Sequence, residues 1–150
     1  MQFFEVSIQL IHVFAVISWL GAMYFNLVLI FPTYKAAFTD IEQEKRMYQV
    51  QGTKAAYWLY AFIFFTSFSG AIFVYLGDVV IDSFLIIKVS FLLIMLAMHL
   101  FGSYYIWPRI MFAVGSEVRS LIFLYKGTMF ISAFIGTMAV SLSYSKHLIF

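Results

Sequence analysis

The stretch from residue 11 to residue 32, IHVFAVISWLGAMYFNLVLIFP, limits the fold more than any other part of the chain. At a rise of ~1.5 Å per residue, ~20 apolar residues cross the ~30 Å hydrocarbon layer of a bilayer. Yet this stretch carries a histidine, a tryptophan and an asparagine. At helical spacing Glu5, Gln9, His12, Trp19 and Asn26 fall on one stripe, because offsets of about 4, 7, 14 and 21 return to the same face. A helix surrounded by lipid has no use for a polar stripe. A helix lining the inside of a bundle does.

Composition extends that argument to the whole chain. Hydrophobic residues make up 64%, aromatic residues 21% and charged residues 11%, and the mean hydropathy is +0.97. Soluble domains average ~45–50% apolar and ~25% charged residues, so a soluble fold of this composition would lack polar surface to cover itself. The net charge of +2 is too small to suggest nucleic acid as a partner. The absence of cysteine excludes disulfides, thiolate metal sites and cysteine nucleophiles. The start, MQFFEV, has no basic n-region, so the first helix is expected to stay in place as a membrane anchor.

Four apolar segments are predicted, at about 4–31, 55–76, 83–106 and 121–143, in a single domain over residues 1–150. The expected fold class is all-α: a polytopic membrane protein built as a four-transmembrane-helix bundle. Each segment exceeds the ~9–11 residues of a membrane strand, and no repeat of solenoid period is visible. Pro32 and Pro108 are read as helix ends, with polar loops at 33–54 and 107–120. These loops and the residues after them hold Lys35, Lys45, Arg46, Lys54, Arg109, Arg119 and Lys126, seven of the nine basic residues. The positive-inside rule then places the two basic loops in the cytoplasm and both termini outside, which in a bacterial inner membrane is the periplasm.

The third segment carries a second loaded stripe: Lys88, Met95, His99 and Ile106 share a face, with Gly102 and Ser103 beside it. The fourth offers Thr128, Ser132, Gly136, Ala139 and Ser143, small residues at packing intervals. Two inward histidines are therefore expected, on the first and third helices. An ionisable group inside a membrane is costly and marks function by default. Neutral imidazole ligates haem iron, copper or zinc through one nitrogen while the other is held by a neighbour. His12 and His99 are the candidate axial ligands of a haem iron, with Lys88, Trp19 and Met95 as accompanying cofactor-binding residues. The haem would be b-type, because no Cys-x-x-Cys-His exists to attach it. His12 lies about eight residues into its segment and His99 about sixteen into its own, an offset of ~12 Å along parallel helices. One shared site is the expectation, and two separate sites are the alternative. Copper is the alternative metal, with Met23, Met95 and Met98 as soft donors. No carboxylate pair lies at depth, so no catalytic residue is assigned, and His147 in the polar tail is given no role.

His12, Trp19, Gly21 and Pro32, spaced H-(x6)-W-x-G with an apolar run to the proline, resemble the first helix of the copper-resistance protein D (CopD)-like membrane families. They also resemble the related HemJ-type protoporphyrinogen IX oxidases. Ser69-Gly70 in the second segment and Lys88 with His99 in the third fit the same layout, over roughly residues 5–108. The run Asn26-Leu27-Val28-Leu29-Ile30-Phe31 departs from the HemJ-type pattern, which has a Pro-Arg-Leu-Phe element there. The resemblance implies haem b held by His12 and His99, with Lys88 a functional cation. The expected function is that of a membrane haem b redox protein, cytochrome-like, serving electron transfer. The alternatives are a HemJ-type oxidoreductase and a CopD-like copper-handling protein. Expected partners are the lipid bilayer, respiratory-complex subunits or quinone, and further copies of the chain.

Overall fold

The computed structural model describes the backbone of residues 2–76 and 81–148 and the side chains of 3–76 and 81–143. The turn at Asp78 and the side chain of His147 lie outside the described residues. All regular structure among the described residues is helical: α1 (Gln2–Phe25), α2 (Phe31–Ala37), α3 (Ile41–Tyr75), α4 (Ser83–Phe101), α5 (Trp107–Phe112) and α6 (Ser116–Leu148). A π-helical turn joins α1 to α2 (Asn26–Ile30) and another joins α4 to α5 (Gly102–Ile106). Four stretches are long and apolar enough to cross a membrane: Phe3–Ala37, Ile41–Tyr75, Ser83–Phe112 and Ser116–Ser143. The chain is an all-α membrane protein.

Its surface is that of a protein meant for lipid. Phe14, Ile17, Phe64, Phe68, Phe123 and Phe130 are exposed, while Thr66, Ser69, Thr128 and Ser132 are buried. In hydrocarbon an exposed phenylalanine costs nothing, and small or hydroxylated residues let helix backbones approach. Gly136 of α6 does this against α1 and α4, since a Cβ there would stand 2.4 Å from Leu20 and 2.8 Å from Met95.

The polar stretch after Pro32 is not the loop that its composition suggests. Asp40 caps α3, its carboxylate accepting the Glu42 N–H at 3.0 Å. Glu42 and Glu44 in the first turn complement the helix dipole. The result is one helix of 35 residues from Ile41. Lys45 ties its polar end to α5, donating to the Ala113 carbonyl at 2.8 Å and pairing with Glu42 at 3.2 Å. Ala113 is the residue that caps α5.

Nor do the prolines end their helices. Proline lacks an N–H, and its ring collides with the carbonyl four residues back in an α-helix. In both places a π-turn comes first: the Phe31 N–H bonds the Asn26 carbonyl and the Trp107 N–H bonds the Gly102 carbonyl, each five residues back. The wider turn shifts the hydrogen-bond register directly before Pro32 and Pro108, so the helix resumes through them.

These two joints reveal a repeat. The offset that carries Pro32 onto Pro108 carries Asn26 onto Gly102, Phe31 onto Trp107 and His12 onto Lys88. The order long helix, π-turn, proline helix, short link, long helix therefore occurs twice, as α1–α3 and α4–α6. Within each hairpin the long helices pack along their length, α1 on α3 and α4 on α6. The hairpins meet through α1 and α6 on one side and through α3 and α5 on the other, while α3 and α4 scarcely touch.

Candidate functional site

Polar side chains occupy three successive levels along α1, each seven residues from the next. The first is His12. Its Nδ1 lies 2.9 Å from the Ser69 hydroxyl on α3. That hydroxyl has one proton, and it donates to the Phe65 carbonyl of its own helix, with the Thr66 carbonyl at 3.2 Å as a second acceptor. The Ser69 oxygen must then accept from His12. In that arrangement a neutral His12 carries its proton on Nδ1, and the Thr66 backbone is a further hydrogen-bond partner of the ring. The Phe73 ring meets the imidazole edge-on at 5.8 Å. Gly70 leaves the ring space, since even a Cβ there would stand 3.6 Å from it. Lys88 of α4 lies within electrostatic reach of His12. Two residues at equivalent positions of the repeat are thus within electrostatic reach of one another.

The second level is Trp19, 2% exposed, whose indole N–H donates to His99 Nε2 at 2.7 Å. The bond runs from α1 to α4, the two helices related by the repeat. Indole nitrogen only donates, so a neutral His99 carries its proton on Nδ1. Met95, buried in the core, has its sulfur 3.2 Å from where a Gly136 Cβ would stand. A cavity of about 40 Å³ adjoins this level, lined by His99, Met98, Tyr60, Ser103, Thr128 and Met129 among others. The Tyr60 hydroxyl is buried without a hydrogen-bond partner among the described residues.

The third level is Asn26, at the start of the first π-turn. Its amide N–H₂ donates to the Ala22 carbonyl at 2.7 Å, and its carbonyl oxygen accepts from Gln51 of α3. Nearby, Lys126 of α6 lies 3.9 Å from the Glu44 carboxylate and stands over the rings of Phe31 and Tyr48 at 5.4 and 5.5 Å. Trp107 stacks on Tyr125, with centroids 5.6 Å apart and planes 5° apart.

Of the residues singled out in the sequence, the structure joins Trp19 to His99 by a hydrogen bond, with Met95 in the same core as Trp19, and sets Lys88 within electrostatic reach of His12. It does not bring His12 to His99. Trp19, the partner of His99, lies seven residues beyond His12, about 10 Å along α1. Each histidine is held by its own neighbour. A haem held by both would have to break the Trp19–His99 bond and close that gap. As they stand, the two imidazoles are single donors at separate levels. Ser69, Tyr60 and Gln51, which complete the three levels, carry no helical-period signal of their own, and only Ser69 stood out, through the Ser-Gly pair.

Comparison with protein-family models, with curated proteins and with solved structures finds no match for the chain. Fold and site together define a four-helix membrane protein whose apolar core carries polar side chains at three levels.

Proposed function

We propose that the chain is an integral membrane redox protein that binds haem b through His12, in a bacterial inner membrane with both termini on the periplasmic side. The observation that carries this reading is the orientation of His12: Ser69 holds Nδ1–H and leaves Nε2 as a ligand nitrogen. That is the division of labour seen in metal-ligating histidines, one nitrogen for the metal and one for a fixed neighbour. Bound haem supplies a one-electron couple. Ser69 fixes the tautomer and the plane of the imidazole. Lys88 adds positive charge beside it, suited to the anionic propionate edge of the macrocycle. The apolar, lipid-exposed flanks keep water from the site, and electron partners in this reading are membrane-embedded.

The test is the absorption spectrum of the purified protein before and after dithionite. Sharp reduced α and β bands are expected, absent in His12→Ala and retained in His99→Ala. A colourless protein carrying stoichiometric copper would overturn the reading in favour of copper handling.

A further inference from the structure

The level of Trp19 and His99 has a feature that the haem reading does not use. On the outer side of the α4–α6 pair runs an apolar groove of about 550 Å³, lined by residues that include Ile94, Phe101, Phe123 and Gly127. Met98 and Thr128 line both this groove and the small cavity at His99. Groove and cavity are thus neighbours across Met98 and Thr128, and the Met98 thioether, with three rotatable bonds, is the part of that wall able to move aside and make them one path.

The groups at its inner end are donors. His99 Nε2 is occupied by the Trp19 N–H, so the ring has only Nδ1–H to offer. Tyr60 brings a hydroxyl with no partner among the described residues. The Thr128 hydroxyl donates to the Tyr125 carbonyl at 2.8 Å and so turns its proton away. A buried hydroxyl left unsatisfied is costly in hydrocarbon, and the cavity beside it has room for an acceptor atom. A ligand carbonyl oxygen supplies one. What fills the groove is a long apolar tail.

We infer that the two spaces together bind an isoprenoid quinone: tail and ring lie in the α4–α6 groove, and one ring carbonyl reaches past Met98 into the 40 Å³ cavity, which is too small for the ring itself, to accept from Tyr60 Oη and His99 Nδ1. The ester carbonyl of a diacyl phospholipid shares the acceptor chemistry. The quinone is favoured because its acceptor sits on a flat, uncharged head, and the path carries no charged side chain among its lining residues to receive a phosphate. The site stands on different residues from the haem reading and does not depend on it.

The experiment uses the full chain in nanodiscs of phosphatidylethanolamine and phosphatidylglycerol, titrated with decylubiquinone and followed by quenching of tryptophan emission, with Trp19 bonded to the proposed partner. Saturable quenching is expected. Tyr60→Phe keeps the ring and removes the hydroxyl, and should weaken binding about tenfold. Gly127→Leu projects a side chain into the groove from a position where a Cβ meets nothing within 4 Å, so the fold survives and binding is lost. Saturable binding untouched by both substitutions would overturn the inference, as would the lack of any saturable phase. Native mass spectrometry supplies the remaining arm. A phospholipid that stays bound in excess decylubiquinone and is lost in Gly127→Leu would assign the path to lipid and overturn it too. The reduced spectrum of His12→Ala reads the haem separately, so either proposal can fail alone.

Discussion

At the scale of single residues, the interior is a set of assigned protons. Ser69 decides which nitrogen of His12 carries hydrogen, and Trp19 decides the same for His99. In the proposed haem site, Ser69→Ala should therefore lower haem affinity by about 10–100-fold, the usual cost of losing a ligand's hydrogen-bonded neighbour, while leaving helicity intact. Haem titration of the apoprotein measures it. A second residue is fixed by contact alone. Gly52 of α3 lies flat against the Trp107 indole, where a Cβ would fall 1.7 Å from a ring carbon. That indole is stacked on Tyr125 and has nowhere to retreat. Gly52→Ala should destabilise the protein by about 1–3 kcal/mol, the range for overpacking a rigid contact, read as a lower unfolding midpoint in detergent. His12, Trp19 and Asn26 were legible as one face because the helical period belongs to α1 itself. That Ser69, His99 and Gln51 are the partners they meet was not, since which residues meet depends on how far one helix is shifted along another.

At the scale of elements, the π-turns explain where reading the sequence stops short. Proline and a polar stretch together read as helix end and loop, and both inferences fail at Pro32 for a local reason. The extra residue in the π-turn removes the proline's clash, and Asp40 starts a new helix within a few residues. The Asp40 cap with its acidic first turn was a signal present in the sequence, outweighed by the density of charge. Removing Val28, which lies in the first π-turn and is 66% exposed, should return that turn to α-helical register and press the Pro32 ring onto the backbone. A loss of about 3 kcal/mol is expected, the cost of proline inside a helix. Adding Pro32→Ala should recover most of it. A thermal-melt cycle over the two changes tests the coupling: additive losses would mean that the π-turn is not there to accommodate the proline.

At the scale of the whole molecule, four spans were readable because apolar length survives errors in every boundary. The two-hairpin repeat was not readable, because equivalent positions hold different residues, His12 for Lys88 and Phe31 for Trp107, and agree mainly in backbone shape. The repeat bears on orientation. Each hairpin crosses and returns, so the two links after Pro32 and Pro108 lie on one side and the start of α1 and the start of α4 on the other. The side of the proline links holds Lys35, Lys45, Arg46, Lys54, Arg109 and Arg119, and of these Lys45 is anchored to the Ala113 carbonyl and buried. By the positive-inside rule, an excess of that size supports the cytoplasmic placement of these links proposed above. Because the chain has no cysteine, single cysteines report topology without background. Thr39→Cys and Val114→Cys sit at exposed positions in the two links, and Ile81→Cys at an exposed position on the opposite side. In intact cells a membrane-impermeant maleimide should label Ile81→Cys and spare the other two until the membrane is permeabilised. Labelling of Thr39→Cys from outside would reverse the proposed orientation and move His12 and Lys88, near the starts of α1 and α4, to the cytoplasmic half of the bilayer.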